Sequence, residues 1–255
     1  MVGKAESDDW NRLTSGVRNQ RGKLSHGDWP RTLYHTPPPA AYLQAAQATL
    51  PVDRRLVDAC ASAALKLGGP RLTRLGVTSA LRGEGRTTVA LAMAAVQARE
   101  FGRRALLVDA DFESPTLGEM FGFAGEPGLA EVTTGELSLD TAVREVAEGV
   151  ALLPAGVATK HRSRMVRELL SGDLLAELSS TYEVAIVDLP PMLGSTEGPL
   201  LAAHFQNALL VVRAQVTPIA RIEEAVGMLS TQPFVLVNGI NSSLPDWLSR
   251  LVGRG

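Results

Sequence analysis

A glycine-bearing loop between a strand-like run and a helix-like run constrains this chain more than any other feature. Leu75-Gly76-Val77-Thr78-Ser79 leads into Ala80-Leu81-Arg82-Gly83-Glu84-Gly85-Arg86-Thr87-Thr88, and an alanine-rich stretch from Val89 to Ala98 follows. Strand, glycine loop and helix in that order is the context of a phosphate-binding loop. Gly83 and Gly85 let the backbone turn tightly, so that successive N–H groups converge on an anion. A helix beginning near Thr87 adds the positive end of its dipole at the same spot. Thr87 is placed to ligate Mg2+ through its hydroxyl.

The loop also departs from the usual G-x-x-x-x-G-K-[ST] pattern. Ala80 stands where the first glycine is expected and Arg86 where the lysine is expected. Arginine keeps the positive charge, but its head is planar, forked and carried further out. Misplacing a reacting group by about an ångström can cost roughly a hundredfold in rate. The expectation is a loop that binds a nucleotide without efficient catalysis.

At 255 residues, 45% of them hydrophobic, the chain is long enough for one medium α/β domain plus a tail. Its net charge of −2 gives no electrostatic case for nucleic acid. The single cysteine, Cys60, excludes an internal disulfide framework and suits a reducing cytosol. No apolar run approaches the ~20 residues of a membrane span. The polar start (Lys4, Glu6, Asp8, Asp9, Arg12) has no signal-peptide core. These features predict a cytoplasmic protein without a transmembrane segment of its own.

The pattern changes near residue 50. Residues 1–50 are polar, carry Pro37-Pro38-Pro39 and lack periodicity, which predicts a flexible or loosely docked N-terminal arm. Its aromatics Trp10, Trp29, Tyr34 and Tyr42 suit either a docking peptide for another protein or packing on its own domain. Residues 51–255 read as the domain. A helix is predicted over 52–67, ended by Gly68-Gly69-Pro70. Strands are predicted at 74–79, 104–109, 150–154, 183–188, 207–212 and 234–238, with helices at 87–101, 138–148, 164–180 and 218–230. Continuous apolar strands alternating with helices predict a doubly wound, mostly parallel α/β sheet flanked by helices. Such sheets bind ligands beyond the carboxyl ends of their strands. Of two further segments, the apolar stripe of Trp247, Leu248, Leu251 and Val252 reads as a short helix packed on the domain, and the basic cluster of Lys160, His161, Arg162 and Arg164 reads as a solvated loop.

The predicted strand ends carry the chemistry. Ala105-Leu106-Leu107-Val108 finishes in Asp109-Ala110-Asp111, and Val184-Ala185-Ile186-Val187 finishes in Asp188-Leu189-Pro190-Pro191. One aspartate after a strand is commonly a cap or loop residue. Two such sites downstream of a glycine loop point to a phosphate and Mg2+ site. Phe234-Val235-Leu236-Val237-Asn238-Gly239 ends in an amide that could read a base edge or simply open a turn.

Together, Val77 to Thr88, Leu106 to Asp111 and Val187 to Pro191 resemble the bacterial tyrosine kinases. These are cytoplasmic partners or domains of polysaccharide co-polymerases within the MinD/ParA group of P-loop proteins. The likeness continues through Pro115-Thr116-Leu117, Phe121-Gly122, Glu126 to Leu129, Leu153 to Gly156, Leu209 to Arg213 and Val235 to Asn238, roughly residues 52–242. It implies that Gly83, Glu84, Gly85, Arg86, Thr87 and Thr88 cradle the phosphates of ATP or ADP. It implies that Thr87, Asp109 and Asp188 hold Mg2+, and that Asp109 and Asp111, with Arg86, form the catalytic group. It implies that Asn238 reads adenine. Glu197 falls near an acid common in such proteins and reads here as a surface carboxylate.

Departures from the family pattern matter as much. Arg82 replaces a proline, Leu189 a threonine, and Glu113-Ser114 the basic pair after the acids. Leu81 occupies the position of the MinD/ParA signature lysine, and no tyrosine follows Tyr182 to serve as a C-terminal acceptor. The helix before the first strand lacks the family's E-x-x-R-x-x-R assembly pattern, so a homo-oligomer has no sequence support beyond the resemblance. Three readings stay open. One is a nucleotide-binding, catalytically impaired regulator of extracellular polysaccharide synthesis or export. It would act through a membrane co-polymerase or another export component at the inner face of the membrane. The second is an active ATPase or tyrosine kinase using Arg86. The third is a scaffold in which Arg86 fills the anion site by pairing with Asp109, Asp111 or Asp188.

Overall fold

The computed structural model describes Val52 and residues 54–157, 162–171, 174, 178 and 182–239, all within the unit Ala40–Gly255. The expectations for residues 1–50, for Lys160 and His161 and for the stripe at Trp247–Val252 lie outside the described residues.

Seven strands form one sheet in the order β3-β4-β2-β5-β1-β6-β7. They are β1 (Arg74–Ser79), β2 (Ala105–Asp109), β3 (Arg144–Ala147), β4 (Val150–Leu153), β5 (Val184–Asp188), β6 (Ala208–Arg213) and β7 (Phe234–Asn238). Every pairing is parallel except β3 with β4. β2 and β5 are buried along their whole length, as strands covered on both faces must be.

The helices are α1 (Arg54–Lys66), α2 (Arg86–Arg99), α3 (Leu117–Met120), α4 (Leu129–Thr134), α5 (Leu139–Ala142), α6 (Arg162–Leu170), α7 (Glu197–Ala202) and α8 (Ile219–Gly227). α2 runs between the sheet and α1, and every residue from Val89 to Gln97 is buried. That explains its alanines: a helix apolar all round belongs inside, and small side chains let it approach both neighbours. Ala90, Leu91, Met93 and Ala94 join Cys60, Ala63 and Ala64 of α1 in one core cluster. The opposite face of the sheet carries a second cluster, with Leu106, Val108, Leu210 and Val212 under Leu129, Met165, Leu201 and Ala225.

One expectation is overturned. The helix predicted over 138–148 is instead the short α5 followed by β3, an antiparallel edge strand. Glu148-Gly149, with Gly149 at φ +73°, forms the tight connection from β3 to β4, and Val146 and Ala147 are buried there. A glycine between two short apolar runs was the signal for a hairpin. The helices α3, α4 and α7 are too short to show a period and were not foreseen.

Candidate functional site

β2, β5 and β1 are neighbours, so their carboxyl ends bring three separate sequence motifs together. The register pairs Asp109 with Asp188, and Asp188 with Val77 of β1. The loop after β1 then turns through Gly83 at φ +82° and Gly85 at φ +90°, and α2 starts at Arg86. L-residues with a side chain resist that left-handed backbone, which is why glycine stands at both positions. A cavity of about 310 Å³ opens here, lined among others by Arg82, Gly83, Gly85, Arg86, Thr87 and Ser114.

Arg86 is 8% exposed and lies between two carboxylates. Its Nε donates to Asp188 Oδ1 at 2.7 Å and its Nη2 to Asp111 Oδ2 at 2.8 Å. Thr87 Oγ1 donates to the other oxygen of Asp188 at 2.7 Å. Arg82 adds a second guanidinium, with Nη1 on Asp111 Oδ2 at 3.2 Å and Nη2 on Glu113 Oε2 at 2.5 Å. Of the three carboxylates proposed from sequence as partners for Arg86, the structure therefore brings two to it. Asp109 serves differently: its oxygens accept backbone N–H bonds from Asp111, Thr116 and Leu117 at 3.0–3.2 Å. It ties the segment after β2 into a turn leading to α3.

Burial dominates the electrostatics. It drives the Asp109 carboxyl up to about 7, helped by the facing Asp188 and opposed by the backbone donors. Burial also raises Asp188, against the pull of Arg86 and of the Thr87 hydroxyl. On Arg86, burial alone acts to lower the pKa; Asp188 and Asp111 outweigh it, so the guanidinium is held charged above its ordinary value.

The loop is braced by residues whose part the sequence did not reveal. The Glu84 carboxylate accepts the Leu81 N–H at 2.8 Å and the hydroxyl of Thr217, while Ser79 Oγ donates to the Leu81 carbonyl at 2.7 Å. Arg213 reaches the Gly83 carbonyl at 3.4 Å. Arg213 ends β6 and Thr217 lies four residues beyond it, and only these positions at a strand end hint at a role. Asn238 Nδ2 donates to the Glu84 carbonyl at 2.9 Å, and its Oδ1 accepts the Gly239 N–H at 2.8 Å. Asn238 thus closes over Gly85 and opens the turn at Gly239, with hydrogen-bonding capacity left on its amide. Thr88 is half-buried in the first turn of α2. Glu197 is not a plain surface carboxylate: it is half-buried at the start of α7, its Oε2 has no hydrogen-bond partner, and burial raises its pKa.

Thr87, Asp109 and Asp188 are the residues expected from the sequence resemblance to hold a divalent cation. In this arrangement both Asp188 oxygens are taken by Arg86 and Thr87, and Asp109 is filled by backbone donors. Among the described residues no cluster of three or more acidic, His or Cys side chains is arranged to hold a metal ion. The donor set is closed by a guanidinium and does not fit a cation as it stands.

A glycine loop after β1, a helix rising from it, and acids ending β2 and β5 give the chain a P-loop NTPase-like fold, shared with the cell division ATPase MinD of Pyrococcus furiosus (TM-score 0.54, 23% identity, covering 71% of this chain and 78% of that one). The chain's relatives are bacterial tyrosine-protein kinases. No family model matches the chain. EpsB of Ralstonia nicotianae, described as a tyrosine-protein kinase, is 30% identical over 154 residues, covering 60% of this chain and 20% of EpsB. The tyrosine-protein kinase YwqD of Bacillus subtilis is 28% identical over 165 residues, covering 64% of this chain and 69% of YwqD. The succinoglycan biosynthesis transport protein ExoP of Rhizobium meliloti is 29% identical over 174 residues, covering 66% of this chain and 22% of ExoP. The chain thus spans about a fifth of the length of EpsB and of ExoP. Among solved structures, the VpsO kinase domain has a TM-score of 0.64 at 28% identity, covering 73% of this chain and 97% of that one. The kinase domain of the Escherichia coli tyrosine kinase ETK has a TM-score of 0.67 at 22% identity, covering 74% of this chain and 77% of that one. The fold is shared more widely, with the cobyrinic acid a,c-diamide synthase of Mycobacterium smegmatis, solved with an ATP analogue and magnesium (TM-score 0.55, 23% identity, covering 72% of this chain and 83% of that one).

Proposed function

We propose that this protein binds ATP or ADP on its glycine loop and acts as a tyrosine-kinase-like regulator with impaired phosphoryl transfer. The observation that carries the reading is the engagement of Arg86. The loop, its two left-handed glycines and the helix behind it are retained, while the side chain at the lysine position is bound by Asp188 and Asp111. Phosphoryl transfer depends on charge and positioning at the transferred group. A forked guanidinium anchored on two carboxylates supplies that positioning poorly. With Asp188 held by Arg86 and Thr87 and Asp109 held by backbone N–H groups, neither carboxylate expected to hold Mg2+ is free for it.

Kinship with ExoP, named for succinoglycan biosynthesis and transport, supports a place in extracellular polysaccharide synthesis or export. The partner proposed is a membrane co-polymerase or another export component, contacted from the cytoplasmic face. No helix among the described residues is long and apolar enough to cross a membrane, so the reading gives membrane attachment to the partner.

The test is titration calorimetry of the protein with ATP and ADP, beside ATP turnover by the parent and by Arg86→Lys. Saturable binding by a parent without turnover, with turnover gained in Arg86→Lys, supports the reading. Turnover by the parent makes it an active ATPase or kinase. The Arg82–Asp111–Arg86–Asp188 network favours one further reading, a scaffold whose loop is closed by its own arginines. Absence of saturable nucleotide binding selects it.

A further inference from the structure

Arg86 holds the lysine position in sequence, but in space it binds Asp188, a carboxylate that the resemblance assigns to the metal, together with Asp111. Its guanidinium lies between Asp188 Oδ1 and Asp111 Oδ2, with Thr87 completing Asp188. Asp111 Oδ1 is also taken, by the backbone N–H groups of Glu113 and Ser114 at 3.1–3.2 Å. Arg82 brings a second guanidinium to the same cavity. Both heads carry more donors than the carboxylates use, since each guanidinium has five N–H groups in a fixed fork. Arginine forks match phosphate oxygens in paired fashion and are weakly hydrated, so they do not need a metal to mediate the contact.

We propose that the Arg86 guanidinium stands in the place of the divalent cation rather than of the loop lysine, so that this loop binds a nucleoside diphosphate without metal. The inference rests on the nucleotide-binding reading above. Arg86 and Arg82, the loop N–H groups and the start of α2 together supply the positive charge facing the diphosphate. A cation added to the solution gains little, because entering the site means displacing Arg86 from Asp188.

Calorimetric titration of ADP into the full chain, once in excess EDTA and once in millimolar Mg2+, tests this. The expected result is saturable binding in both, with dissociation constants within about threefold of each other. In Arg86→Lys the shorter, unforked ammonium frees Asp188, and Mg2+ should then tighten ADP at least tenfold. Binding by the parent that weakens tenfold or more in EDTA overturns the inference and leaves the nucleotide reading intact. Equal metal independence in a folded Arg86→Lys removes Arg86 as the cause and also overturns it. No binding of ADP in either buffer overturns the nucleotide reading and this inference with it.

Discussion

Arg82 and Glu113 pair beside the cavity, Nη2 to Oε2 at 2.5 Å, and both stand where the chain departs from the kinase pattern it resembles. Arg82 sits before Gly83 and Glu113 follows Asp111, 31 positions apart in sequence. The two departures meet in space: the arginine in the loop pairs with the acid after the paired aspartates. The pair is solvated, with side chains 41% and 45% exposed. Such pairs contribute about 0–1 kcal/mol. Glu113→Ala should therefore move the thermal midpoint by no more than about 4 °C. A larger loss would show that Glu113 supports the loop by more than charge.

Asp188 occupies the opposite regime. It is 1% exposed and holds both Arg86 and Thr87. Removing one partner of a buried pair leaves the other charge uncompensated, at a cost of roughly 3–5 kcal/mol. Asp188→Ala should lose about that much in urea denaturation. Two features make it costlier than Glu113→Ala: Arg86 keeps only Asp111, and the Thr87 hydroxyl loses its acceptor. A loss below about 1 kcal/mol would mean that Arg86 swings out to water when its partner goes.

The two loop glycines should separate in the same assay. Gly83 and Gly85 both have positive φ, so alanine at either costs roughly 1–2 kcal/mol in strain. At Gly83 nothing lies within 4 Å of the added Cβ, and the cost ends there. At Gly85 the Cβ would overlap the amide of Asn238, which donates to the Glu84 carbonyl at 2.9 Å. Gly85→Ala must push Asn238 away and break that contact. It should destabilise more than Gly83→Ala and abolish ADP binding, while Gly83→Ala weakens it. Equal unfolding midpoints for the two variants would contradict the close approach of Asn238.

Much of this site was legible in the sequence because its parts are local. The glycine loop announces itself by strand, glycines and helix in succession, and an aspartate ending an apolar run marks a sheet rim. The strand order that brings Asp111 and Asp188 to Arg86 follows from crossover rules only in outline. The choice of Asp111 and Asp188 over Asp109 depends on the turn in which Asp109 caps the N–H groups of Thr116 and Leu117. The sequence places Glu84 in the phosphate loop but not as its brace, and gives no role to Thr217 or to the Arg213 contact, because loop bracing depends on contacts across more than a hundred positions. The strand β3 is hidden from sequence by the helical pattern over 138–148, of which only the single turn Leu139–Ala142 forms, stopping before Arg144.

Asp109 should give the domain a measurable pH dependence. Its folded carboxyl titrates near 7, raised from an ordinary 3.8 first by burial and then by Asp188. Between those values the folded state holds a proton that the unfolded state has lost. Stability is then fully present below about 4 and falls as pH rises through the folded pKa, levelling above it. The fall is on the order of a few kcal/mol. Asp109→Asn is neutral throughout and keeps the shape of the side chain, so its changed hydrogen bonding to Thr116 and Leu117 adds an offset that does not vary with pH. The free-energy difference between parent and variant, measured by urea denaturation from pH 5 to pH 8, should therefore shift steadily in favour of asparagine. The shift should be concentrated below and around pH 7. A difference that stays flat across that range would mean that Asp109 is ionised in the folded protein at pH 5, held so by its three backbone donors against the cost of burial.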